Sequence, residues 1–364
     1  MTRFGKRRAR LLKLAREAGA DGLLVSNLSN VTYLTGFTGD SSHLLITSRD
    51  TVLVSDFRYI TQIDEECPDL RTHIRPNTTL LRDAVIEVVT ATKARRLAIE
   101  GDSFTIADYN HLREKLPRLE ILLSSGLVEG LRQIKDKEEI AAIREAVRIA
   151  ERSFGVLRAT LRPKHTEKEL ADDLEHQLRL EGAQSSSFPP IVAAGARAAL
   201  PHARPTGTAI GGEDLLLVDW GASANGYKSD LTRVLVTGRI SPKLERVYGV
   251  VLRAQEQAIA AIRPGKTGRE IDAIARGVIA DAGFGKYFGH GLGHGIGLDI
   301  HELPRLSGTN ERPLEAGMVI TVEPGIYLPG WGGVRIEDDV LVTKQGHEVL
   351  TSCPKQIADA VVAN

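Results

Sequence analysis

The sequence predicts an α/β domain followed by an α+β domain made of two similar halves. Three observations carry this reading. Short apolar runs alternate with helical stretches over residues 1–130. A long amphipathic helix opens a new unit near Leu131, giving domains 1–130 and 131–364. Within the second domain a ten-residue stretch, Leu161–Leu170, recurs as Ile262–Ile271.

In the first domain, Arg3–Ala18 reads as helix. Gly22–Ser26, His43–Thr47, Thr51–Ser55, Arg71–Arg75 and Arg96–Gly101 read as short strands. Helical periodicity covers Arg58–Glu66, Leu80–Ala91 and Ile106–Leu116. Gly36, Gly39 and Asp40 read as turn residues, and no catalytic constellation stands out here. In the second domain Asp136 and Glu139 make a capping box. Ile140, Ile143, Val147, Ala150 and Phe154 then share one helical face. Each copy of the repeat follows a long helix and opens another through Thr166/Glu169 or Thr267/Glu270. The expectation is two helix–helix–sheet halves related by a pseudo-twofold. Gly265-Lys266-Thr267 resembles the end of a phosphate-binding loop. Ala260 stands where that loop needs glycine, however, and the stretch follows a helix.

The composition fits folded domains. With 364 residues and 42% apolar content the chain has ample material for two cores. Its 47 basic and 47 acidic residues cancel, so total charge gives no reason to expect a nucleic-acid partner. Cys67 and Cys353 lie far apart and read as reduced thiols. No run approaches the roughly 18 apolar residues of a membrane helix. The basic start, Arg3 to Arg10, is not followed by an apolar segment or a cleavage site. The expectation is a cytoplasmic protein without membrane contact, in which the sequons at Asn27, Asn30 and Asn77 carry no meaning.

The chemistry concentrates in the second domain. Two strand-like runs flank Asn225-Gly226, a strong hairpin signal. A two-residue turn there sets Gly221 opposite Asp230, so Asp219 and Asp230 become diagonal neighbours on one face. Like charges that close destabilise a sheet unless a cation lies between them. A second pair, Glu323 and Glu337, sits symmetrically about Gly330 in Met318–Gly325 and Gly333–Val342, two stretches that read as strands around a loop at Leu328–Gly333. Arg335 shares the face of Glu337. Asp338 and Asp339 read as facing solvent or supporting the ligands from behind. Between the hairpins, His290, His294 and His301 crowd into a segment with glycine at every second position from 289 to 297. Such glycines let backbone come close to a metal or substrate. Asp219, Asp230, His294, Glu323 and Glu337 together suit hard or borderline divalent ions, Mn²⁺ first, with Co²⁺, Fe²⁺ and Zn²⁺ also compatible. Two ions balance four carboxylates, and a water between them becomes a hydroxide near neutral pH.

These residues resemble the pita-bread metallopeptidases, in particular the Xaa-Pro branch of aminopeptidase P and prolidase. The match rests on Val218-Asp219-Trp-Gly, Gly226-Tyr-Lys-Ser-Asp230-Leu-Thr-Arg233, His290 to His301, Thr321-Val-Glu323-Pro-Gly-Ile-Tyr327 and Arg335-Ile-Glu337-Asp. Tyr33-Leu-Thr-Gly-Phe extends it to a creatinase-type N-terminal domain. The resemblance implies that Asp230 and Glu337 bridge two ions, that Asp219 completes one site, and that His294 and Glu323 complete the other. It makes Glu323 the general base and His202 a proton shuttle. His290, His301 and Arg335 become substrate-contacting or supporting positions, with His301 also counted among the catalytic groups. It implies a dinuclear Xaa-Pro aminopeptidase acting on proline-containing peptides, and a homodimer. The alternative is a prolidase restricted to dipeptides. A methionine-aminopeptidase-like enzyme and a non-catalytic binding protein on the same fold rank below these.

Overall fold

The computed structural model describes residues 2–362 and divides into two compact units, Met1–Arg132 and Gln133–Asn364. The first unit is a mixed six-stranded sheet with helices. Its strands are β1 (Gly22–Val25), β2 (His43–Thr47), β3 (Thr51–Asp56), β4 (Arg71–Arg75), β5 (Arg96–Glu100) and β6 (Glu120–Ser124), in the order β4-β3-β2-β1-β5-β6. Its helices are α1 (Arg3–Glu17), α2 (Leu28–Thr35), α3 (Ile60–Glu66), α4 (Leu81–Thr92), α5 (Ile106–Lys115) and α6 (Leu127–Arg132). Ala84, Val85, Val88 and Val89 recur at helical spacing on α4 and bury against Leu24, Leu45, Val54 and Ile99 of the sheet. Sequence reading missed α2, β6 and α6. The short α2 is made by its ends: the Asn27 side chain accepts from the Asn30 N–H, and Gly36 closes the helix at φ 88°. Phe57–Tyr59 is a 3₁₀ turn before α3 rather than part of one α-helix.

The second unit holds two helix pairs, α7 (Lys137–Thr160) with α8 (Glu167–Leu180), and α9 (Pro242–Ala261) with α10 (Gly268–Asp281). All three expected capping boxes form, at Asp136/Glu139, Thr166/Glu169 and Thr267/Glu270. The two repeat segments dock alike. Thr166 bridges Ala209 and Thr267 bridges Pro313, each antiparallel. The first half carries β7 (Ser185–Ser186), β8 (Ile191–Ala194), β9 (Leu215–Trp220), β10 (Ala222–Ala224), β11 (Tyr227–Lys228) and β12 (Leu231–Val236). The second carries β13 (Gly293–Gly295), β14 (Glu302–Leu306), β15 (Val319–Val322), β16 (Gly325–Leu328), β17 (Gly332–Arg335), β18 (Asp338–Val342) and β19 (His347–Val349), before α11 (Ile357–Ala360).

Strand periodicity decides which way Asp219 points. Along β9, Leu216, Val218 and Trp220 join the core under α7 and α8, where Trp220 stacks on Phe154 with ring centroids 4.1 Å apart. Leu215 and Leu217 join the other core, shared with α9, α10, β15 and β18. Asp219 has the parity of this second set, so its carboxylate faces the second half. Among the described residues, no helix is long and apolar enough to cross a membrane.

Candidate active site

The first hairpin has the expected register. Asn225 and Gly226 adopt φ 51° and 78°, the signature of a type I′ turn. Ala224 pairs with Tyr227, and Asp219 with Thr232. The ladder is nonetheless split at Gly221 and Asp230, where the chain passes from the β8-β9-β12 sheet to the β7-β10-β11 sheet.

The second hairpin differs from the expectation of two continuous strands around a loop at Leu328–Gly333. Leu328 pairs with Gly332 around a tight turn at Gly330, whose φ is 75°. Both strands instead break at the ligands. Glu323 lies between β15 and β16, and Glu337 between β17 and β18. The breaks free both residues from the ladder. The Glu337 N–H then donates to the Thr232 carbonyl at 3.2 Å, joining the two hairpins.

Two glycines of the histidine segment also serve strand packing. A Cβ on Gly293 would lie 2.1 Å from the Thr321 carbonyl oxygen, and one on Gly295 would lie 2.2 Å from that of Leu303. Gly293 and Gly295 thus let β13 wedge between β14 and β15, while Gly291 and Gly293 also line the cavity described below. That wedge carries His294 inward.

All five expected metal-ligand residues converge. Carboxylate oxygens of Asp219, Asp230 and Glu337 lie within 4.8 Å of one another. His294 Nε2 lies 3.6 Å from Asp230 Oδ2 and 3.4 Å from Glu323 Oε1. Burial raises the pKa of each carboxyl. For Asp230 the charges of Glu337, Asp219 and Glu323 add to it, and the group sits well above the usual range. Glu337 is likewise pushed well above, by burial and then by Glu323 and Asp219. Burial takes Glu323 up to about 8 although Arg335 opposes it, and Asp219 is raised against the same arginine. Burial lowers His294 to about 3, keeping it neutral and able to donate a lone pair.

This donor set fits divalent cations. Asp219 Oδ1 and Glu337 Oε1 are buried without a hydrogen-bond partner. Their sister oxygens are engaged: Arg335 Nη2 donates to Asp219 Oδ2 at 2.5 Å, and Thr232 Oγ1 to Glu337 Oε2 at 2.6 Å. Each carboxylate therefore keeps one oxygen tethered and one free. Oxygen donors plus one imidazole suit Mn²⁺-like ions better than soft ones.

The cluster forms the floor of a cavity of about 540 Å³ that also takes in His202, His290, His301, Arg305 and Tyr327. His202 and His301 are exposed. The His301 ring meets that of His294 edge-on at 4.4 Å. His290 spends both ring nitrogens on the protein, Nδ1 at 2.7 Å from the Gly291 carbonyl and Nε2 at 2.9 Å from the Tyr327 hydroxyl. Arg335 links Asp219, Thr232 and Tyr327. Of the two expectations for Asp338 and Asp339, facing solvent or supporting the ligands from behind, burial excludes the first: both are fully buried. Asp339 Oδ2 accepts the Asp230 N–H at 3.1 Å. Despite burial, Arg233 and Lys355 hold the Asp338 carboxyl well below the usual range. Both cysteines are free; Cys67 is buried and Cys353 half-buried, and neither lines this cavity.

Sequence reasoning missed Arg305, Tyr327 and Thr232. Thr232 follows from the hairpin register, because it lies directly opposite Asp219. Arg305 becomes visible only once β13 and β14 pair, setting it opposite His294. No carboxylate pairs with its guanidinium among the described residues.

The pKa shifts make the ion-free cluster sensitive to pH. Carboxyls raised in the folded chain contribute stability that is full below their unfolded pKa, about 4. That contribution is lost as pH rises through the folded values, about 8 for Glu323. The gap in melting temperature between chelated and Mn²⁺-saturated protein should therefore widen from about pH 5.5 to about pH 8. Thermal melts at several pH values measure it; a constant gap would contradict the shared burial of these groups.

The fold and this ion-ready cluster define a metal-dependent peptidase, and comparison with known proteins places it. Residues 141–344 match the model of metallopeptidase family M24, and residues 7–134 match that of the creatinase/prolidase N-terminal domain. The chain belongs to metallopeptidase family M24. Its second unit is the pita-bread domain and its first the creatinase-type domain. Among similar solved structures is an Xaa-Pro dipeptidase from Bacillus anthracis, with 41% identity and a TM-score of 0.94 over 97% of this chain and 99% of that one. An X-Pro aminopeptidase from Thermotoga maritima has 36% identity and a TM-score of 0.88 over 96% and 99%. An Xaa-Pro dipeptidase of Pyrococcus furiosus is 35% identical over 97% of this chain and 99% of its own length.

Proposed function

We propose that the chain is an Xaa-Pro dipeptidase that works with two divalent ions, Mn²⁺ first, held by Asp219, Asp230, His294, Glu323 and Glu337. The observation that carries it is the five-residue cluster with its free, buried oxygens on Asp219 and Glu337. This departs from the aminopeptidase reading preferred from sequence. Two things favour the dipeptide. The Bacillus anthracis and Pyrococcus furiosus relatives bear the dipeptidase name. Arg305 also places an unpaired guanidinium in the cavity beside His294, where a short substrate's terminal carboxylate can meet it. By likeness to the family the enzyme is read as a homodimer working in the cytoplasm.

Bound divalent ions supply a Lewis acid for the scissile carbonyl and an ionised water as nucleophile. The chain's own groups do the rest. Asp230 and Glu337, central in the cluster, would help hold both ions. Glu323 would accept the proton of the attacking water. His202 carries a proton toward the leaving proline nitrogen. His301 contacts substrate from the exposed side of the cavity. His290 orients the Tyr327 hydroxyl, which Arg335 also holds.

Initial rates on Ala-Pro beside Ala-Pro-Ala, with Mn²⁺ added, test the reading. The dipeptide should be the better substrate; a higher kcat/KM for the tripeptide returns the protein to the aminopeptidase reading. Arg305→Gln should raise KM for Ala-Pro roughly ten- to hundred-fold, the loss of one charge-assisted hydrogen bond. An unchanged KM removes Arg305 from carboxylate recognition.

A further inference from the structure

The segment Thr351–Lys355 follows β19 without regular secondary structure and runs behind the ion-binding cluster. It is tied there by an unusual concentration of polar contacts. Asp338, next to Glu337 in sequence, accepts four donors: Arg233 Nη2 at 2.7 Å, Gln255 Nε2 at 2.6 Å, Lys355 Nζ at 2.6 Å and Thr351 Oγ1 at 2.7 Å. Two of the four come from this segment. Arg233 also donates to the Glu337 carbonyl at 2.5 Å and to the Cys353 and Pro354 carbonyls at 2.7 and 3.2 Å. Glu151 accepts the Cys353 N–H at 2.7 Å from the other side.

Glu337 draws directly on this support, since Arg233 also holds its carbonyl. It lies at a strand break, so no ladder hydrogen bonding on both sides fixes its backbone. Its own carboxylate has one tether, Thr232. The peptide on its C-terminal side is anchored through the Asp338 side chain. Partners behind a ligand fix its direction, and their loss typically weakens metal binding about 10- to 100-fold.

We infer that Lys355 and Thr351 are positioning residues for the ions: through Asp338 they hold Glu337 aimed into the cluster, which makes the C-terminal segment part of the ion-binding apparatus. This rests on the reading of the cluster as a divalent-ion site. Lys355 suits a test because Asp338 keeps Arg233 when Lys355 is removed, so no buried carboxylate is stranded without a cation.

The experiment is calorimetric titration of Mn²⁺ into the chelated full-length parent, Lys355→Met, Lys355→Arg and Thr351→Val, with circular dichroism on each. Lys355→Met should keep the parent's spectrum and bind Mn²⁺ about 10- to 100-fold more weakly. Thr351→Val should lose less, and Lys355→Arg should stay within a few-fold of the parent because charge and reach are preserved. Parent-like affinity in Lys355→Met, even with a lower melting temperature, would overturn the positioning role and leave the segment a purely structural strap. Should Lys355→Met not fold, Thr351→Val decides by the same readout. Failure of the parent itself to bind Mn²⁺, Co²⁺ or Zn²⁺ would instead remove the ion-site reading on which the inference stands.

Discussion

Asp230→Asn should lose nearly all turnover and most of its affinity for divalent ions while keeping its fold. The side chain is isosteric, so packing is undisturbed. What changes is the charge at the centre of the cluster, where Asp230 shares space with Asp219 and Glu337 within 4.8 Å and lies 3.6 Å from His294. Losing a residue that merely supports a ligand costs about 10- to 100-fold, so loss of Asp230, proposed as a shared ligand, should exceed about 10²-fold. The ion-free variant should melt at or above the ion-free parent. Asparagine removes a carboxyl whose ionised form burial and four neighbouring carboxyls oppose. Metal content, steady-state rates and melts of chelated protein measure all three consequences. Near-parent activity with two bound ions would remove Asp230 from the bridging position.

His202→Ala should bind both ions and fold normally, yet lose about 10²–10³ in turnover with a much smaller change in KM, as when one donor to a developing charge is deleted. The expectation comes from how its loop is held. Arg335 Nη1 donates to the Pro201 carbonyl at 3.4 Å, and Arg197 Nη2 to the Arg204 carbonyl at 2.7 Å, so the backbone is pinned on both sides of His202. Arg197 is itself fixed by buried Glu167 at 2.9 Å. His202 thus stands exposed in the cavity on a loop held at both ends. A turnover number within a few-fold of the parent would leave it a loop residue. A lower ion content would show that the loop, rather than the proton, matters.

Periodicity and local turn chemistry carried much of this protein in its sequence. The Asn225-Gly226 turn sets a register that needs no other part of the chain, and from it Asp219 and Asp230 share a face. The three capping boxes are likewise four-residue statements, and they place both helix pairs. Symmetry about Gly330 brings Glu323 opposite Glu337 for the same reason. That these acids would converge was therefore legible as residue types at fixed local spacings.

What the sequence left open depends on contacts between distant segments. That Glu337 sits at a break in its strand goes with the two hairpins meeting at Thr232, more than a hundred residues away, while the Glu323 N–H turns to the Leu292 carbonyl. Asp338 looks like an exposed acid until Arg233, Gln255, Lys355 and Thr351 arrive around it from three other elements. Arg305 gains meaning only when β14 pairs with β13. A glycine every second residue suggests an open approach, but only the packed strands reveal that the backbone of Thr321 and Leu303 occupies that space. Local conformational preference acts over a few residues and can be read along the chain. Burial and charge pairing act through space, so which acids are free to hold an ion was decided only by the tertiary structure.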